Sequence, residues 1–71
     1  MSTKCKFLKV SNPNTGVFYL LEKVGQNWIF RYFKGGVGPW DDMHKIPAPL
    51  NLSIWETQQP LTEDEFFIEI L

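Results

Sequence analysis

From Cys5 to Lys34 the apolar positions come in short runs of branched and aromatic residues broken by turn formers, the pattern of strands rather than helices. Cys5–Val10 is a first predicted strand, and the NPNTG cluster at residues 12–16 ends it. Val17–Val24 and Asn27–Lys34 are the second and third, joined by Gly25-Gln26. Glycine in the first central position suits a two-residue II′ turn, where φ must be positive.

That turn predicts a register. Val24 pairs with Asn27, Lys23 with Trp28, Glu22 with Ile29 and Leu21 with Phe30. Without interruption, Leu20 then meets Arg31, Tyr19 meets Tyr32 and Phe18 meets Phe33. Opposed residues share a face, and faces alternate along a strand. One face is expected to show Val17, Tyr19, Leu21, Trp28, Phe30 and Tyr32, flanked by Lys23 and Lys34. The other shows Phe18, Leu20, Ile29 and Phe33, with Glu22 diagonal to Arg31. Both faces are apolar, so at least one needs a cover.

Residues 35–49, GGVGPWDDMHKIPAP, carry three glycines and three prolines and read as a long loop, with one helical turn conceivable at Asp42–Lys45. Leu50–Thr57 alternates cleanly and reads as a fourth strand, with Trp55 opposite the Leu50/Leu52/Ile54 face. The end of the chain, PLTEDEFFIEIL, has the signature of a capped helix. Thr62 is the N-cap, Glu65 completes a capping box, and Leu61 and Phe66 occupy the staple positions. Glu63, Asp64 and Glu65 place negative charge where the helix dipole favours it. Phe66, Phe67, Ile70 and Leu71 form the apolar stripe expected to lie on the sheet. A strand with Phe66, Ile68 and Ile70 on one face is the competing reading. The fold class expected is α+β: a three- to four-stranded antiparallel sheet, curled toward a small barrel, with a short C-terminal helix on one face. The helix is expected to take Phe30 and Tyr32, leaving Trp28 at the rim beside Lys23.

Seventy-one residues hold one domain. Hydrophobic residues at 44% and aromatics at 15% favour folding over disorder. A chain of this size buries only about 60% of its unfolded surface, so some aromatic area is expected to face outward. The lone Cys5 has no partner for an internal disulfide and favours a reducing compartment. No apolar run approaches the ~20 residues of a membrane span, and no signal-peptide pattern opens the chain; a cytoplasmic location is expected. Charge is lopsided: residues 1–34 hold six bases and one acid, residues 35–71 one base and seven acids.

No set of residues forms a catalytic or cofactor motif. GGVGPW lacks the following helix of the dinucleotide fingerprint and the Gly-Lys-Ser/Thr of a P-loop. Asp41, Asp42 and His44 are too few and too close in sequence to complete a metal site, so neither metal nor cofactor is expected. Cys5 and His44 are a nucleophile pair only if the fold brings them together. The function expected is therefore that of a small non-catalytic binding or adaptor protein working through protein–protein contacts. Its partner is a larger protein or a second copy, with Trp28, Trp40, Trp55, Asp41 and Asp42 as candidate contact residues. The alternative is a single-stranded nucleic-acid or RNA-binding module. Tyr19, Phe30 and Tyr32 would stack on bases there, and Lys23 and Lys34 would hold phosphates.

Overall fold

Five antiparallel strands form one sheet in the order β4-β3-β2-β1-β5: β1 Phe7–Ser11, β2 Val17–Val24, β3 Asn27–Gly35, β4 Asp41–Pro47 and β5 Thr57–Leu61. One helix, α1 (Glu63–Ile70), follows. The structure is a computed structural model that describes residues 6–12, 14–49, 51 and 57–71. Among these residues the sheet is open rather than closed into a barrel, with β4 and β5 as its edges.

The β2–β3 hairpin forms where the sequence places it. Gly25 holds φ at +65° while Gln26 is not among the residues with positive φ, as a II′ turn requires. Val24↔Asn27, Lys23↔Trp28, Glu22↔Ile29 and Leu21↔Phe30 pair as expected. Beyond that point the register departs from regular alternation. Leu20 pairs with Tyr32, Tyr19 with Phe33 and Phe18 with Lys34, so Arg31 is an extra residue opposite β2. A β-bulge of this kind reverses the face of everything beyond it. Phe30 and Tyr32, two apart in sequence, therefore lie on opposite faces.

Each face has its own core. On one, Leu8, Val10, Leu21 and Phe30 are buried, and Tyr19, Trp28, Met43 and Ala48 pack against them. On the other, Phe66 of α1 is buried together with Phe7, Leu20 and Leu61, with Tyr32, Trp40 and Ile70 around them. The helix takes Tyr32 but not Phe30, and Trp28 packs at the margin of the first cluster in register with Lys23.

The helix start matches its sequence signature. The Glu65 N–H donates to Thr62 Oγ1 at 3.2 Å, and the Thr62 N–H donates to Glu65 Oε1 at 2.9 Å. Leu61 and Phe66 meet in the same cluster, as a hydrophobic staple requires. Phe66 is 1% exposed, and its ring stacks on Phe7 with centroids 4.0 Å apart. Tyr32 approaches it at 5.9 Å. Two ion pairs bracket this contact. Lys9 donates to Glu69 at 2.9 Å, and Arg31 pairs with Glu22 while its guanidinium lies 5.6 Å from the Tyr32 ring centroid and 5.9 Å from that of Phe66. The Glu22–Arg31 proximity expected across the hairpin is realised.

Two expectations fail in the second half. The stretch read as loop contains β4, whose residues are exposed except for Met43. An edge strand needs only one ladder of backbone hydrogen bonds and no apolar alternation, so DDMHKIP carries no strand pattern. The helical turn conceived at Asp42–Lys45 is instead a bulge. Three residues, Met43 to Lys45, span the distance that Arg31 alone covers on β3. The predicted strand at 50–57 falls mostly outside the described residues; Thr57 opens β5, which pairs with β1 rather than extending the meander.

Phe66→Ala is expected to lower stability by about 3–5 kcal/mol, the usual cost of removing a buried aromatic ring. That is a large share of the ~4–10 kcal/mol typical of a chain this size. Phe67→Ala, on the outward side of the same helix, is expected to cost under ~1 kcal/mol. Urea midpoints of the two variants measure the difference.

Candidate functional site

The end of the apolar stripe that leaves the core is the first candidate surface. Residues advance by 100° along a helix, so anchoring Phe66 and Ile70 on the sheet turns Phe67 and Ile68 away from it. Phe67 is 51% exposed, Ile68 69% and Leu71 99%. The stripe expected from sequence is thus split: Phe66 is buried and Ile70 half-buried, whereas Phe67 and Leu71 face solvent. Glu63 and Asp64, also exposed, lie at the N-terminal end of the same helix, and its last turn carries no basic residue. The periodicity held this information, since 67, 68 and 71 lie between 100° and 200° from 66.

A second feature lies at the hairpin end of the sheet. Trp28, half-buried, lines an open pocket of about 370 Å³ together with Ile29, Pro47, Ala48 and Pro49, with Gln26 and Asn27 at the turn. The Ala48 N–H donates to the Trp28 carbonyl at 3.1 Å and ties the chain after β4 to β3 there. Val24, the cross-strand partner of Asn27, and Ile46, beside Pro47, are exposed near it. Reading residues 35–49 as loop hid this pocket, because its proline wall exists only once β4 pairs with β3.

The remaining expected site residues are dispersed. Trp40 packs into the helix-side cluster, and the Lys34 ammonium lies 4.8 Å from its ring centroid. Asp41 and Asp42 are exposed on β4, and Asp42 Oδ1 accepts from the His44 N–H at 2.7 Å. Trp55 lies outside the described residues. The stacking platform of Tyr19, Phe30 and Tyr32 is not assembled. Phe30 is buried, Tyr19 packs on it with centroids 4.9 Å apart, and Tyr32 is on the other face. Lys23 and Lys34 are separated in the same way by the bulge. Lys34 instead sits beside Phe18 at 5.9 Å, with Lys9 at 5.5 Å from the same ring.

Among the described residues no group of three or more His, Cys, Asp or Glu could hold a metal ion, and no helix is long and apolar enough to cross a membrane. Cys5 lies outside the described residues, so its pairing with His44 has no geometry. No family model, curated protein or solved structure matches the chain.

His44 and Lys45 are consecutive residues with φ of 57° and 60°. The left-handed region costs a side-chain-bearing residue about 1–2 kcal/mol, part of which glycine gives back through its greater unfolded freedom. Lys45→Gly is therefore expected to raise stability by about 0.5–1 kcal/mol in chemical denaturation, whereas Lys45→Ala is expected to leave the strain in place.

Proposed function

We propose that this chain is a non-catalytic binding protein that works through protein–protein contacts, with the outward face of α1 as its contact surface. One observation carries the reading: Phe67 and Ile68 are 51% and 69% exposed on a helix whose other side is anchored on the sheet by Phe66. Apolar side chains on a fixed helix are the usual anchors of helix-in-groove recognition. Their desolvation contributes to affinity, and little ordering entropy opposes it because the helix is already formed and capped. The lone Cys5 fits action in a reducing compartment, and we place the protein in the cytoplasm on that ground. Affinity capture with the intact chain is expected to recover a protein that the Phe67→Glu/Ile68→Lys variant does not. That variant should keep its unfolding free energy, measured in urea, within about 1 kcal/mol of the parent, as substitutions at exposed positions usually do. Equal capture by both would remove this face from the function.

A second reading, binding to single-stranded nucleic acid, has a different geometric basis from the one the sequence suggests. Phe18 and Trp40 are half-buried rings on one face, with Lys34 beside both and Lys9 beside Phe18. Rings interleaved with lysines suit base stacking with phosphate contact. Opposing it are the Glu69 carboxylate already paired with Lys9 and the net charge of −1. Titration with fluorescent single-stranded oligonucleotides at low salt is expected to show no saturable binding. Tight binding that weakens steeply with salt and is lost in Lys34→Ala would instead favour this second reading.

A further inference from the structure

We propose that the outward face of α1 docks into the Trp28 pocket of a second copy of this chain, in a head-to-tail contact. The inference rests on the binding reading above and deepens it by naming the occupant. The helix offers Phe67 and Ile68 with Glu63 and Asp64 about one turn away. The pocket offers apolar walls from Trp28, Ile29 and Pro47 and about 370 Å³ of room, within the range of sites that hold small organic groups. Its lining is uncharged, but the unpaired charges beside it are basic, opposite in sign to those of the helix. Lys23 is the cross-strand partner of Trp28, and Lys45 lies two residues before Pro47. Glu22, the acid on the neighbouring position, is already paired with Arg31.

Within one chain the two surfaces do not meet. Phe66 fixes the inward side of α1 on Phe7, Leu20 and Leu61, which turns Phe67 and Ile68 outward, away from the sheet that carries the pocket. Two different patches that complement each other make a heterologous contact, which propagates into rings or open chains rather than stopping at a two-fold dimer. A single helix face in one pocket is a small interface, so the association is weak and depends on concentration.

Sedimentation velocity on the full chain tests this. Between about 10 µM and 1 mM, the range expected for a small interface, the weight-average sedimentation coefficient is expected to rise, and added salt to suppress the rise. Phe67→Glu/Ile68→Lys blocks the helix patch, and Lys23→Glu/Lys45→Glu reverses the charge at the pocket; each alone is expected to stay monomeric. Mixed in equal amounts, they are expected to form a discrete 1:1 dimer, because the first keeps an intact pocket and the second an intact helix. A parent chain that stays monomeric to about 1 mM overturns the proposal, as does a mixture that stays monomeric while the parent associates. The parent series decides even if a variant misfolds. If the parent is monomeric yet still captures a different protein through α1, self-docking fails and the binding reading stands.

Discussion

Arg31 is the residue that both neighbouring strands leave without a partner, and the placement of every ring in the second half of β3 depends on it. The register slips between Leu20 and Leu21 on β2, and between Phe30 and Tyr32 on β3. On a regular strand Trp28, Phe30 and Tyr32 would crowd one side. The extra residue sends Tyr32 to the helix side and brings Phe33 to within 6.3 Å of Tyr19 on the other. Aromatic volume is thereby divided between two cores. The bulged residue is also put to use: its guanidinium pairs with Glu22 and lies against Tyr32 and Phe66, so the polar group that breaks the ladder is itself held.

The helix completes what the bulge begins. A short α1 has too few residues to be stable alone, and its capping box only fixes where it starts. Its stability comes from Phe66 in the pocket made by Phe7, Leu20, Leu61 and Tyr32. Because one side chain does most of this anchoring, the same rotation that buries Phe66 exposes Phe67 and Ile68. The outward apolar face is thus a geometric consequence of how a narrow helix sits on a narrow sheet.

Much of this was legible from the residues. Strands β2 and β3, the Gly25 turn, four of the hairpin pairs and the Thr62 cap all follow from local chemistry that acts within a few positions. Two kinds of feature were not. A bulge has no signature in WIFRYF, since whether Arg31 is skipped depends on which faces need filling by β1 and α1. Strand β4 is an edge, exposed nearly throughout, and the prolines in and around it and its strained His44-Lys45 pair argue against a strand at sequence level. The candidate site suffered accordingly. Trp28 does lie half-buried beside Lys23, but on the face away from the helix; its pocket needs Pro47 and Pro49, and a Tyr19/Phe30/Tyr32 platform needs a strict alternation that the bulge abolishes.

The central claim, that the bulge at Arg31 divides Phe30 from Tyr32, is tested most directly by nuclear Overhauser contacts among the aromatic ring protons. The account predicts cross-peaks from Tyr32 to Phe66 and from Phe30 to Tyr19, with none between the rings of Tyr32 and Phe30. Strong Tyr32–Phe30 cross-peaks, with Phe66 in contact with both, would show an unbroken strand and contradict it.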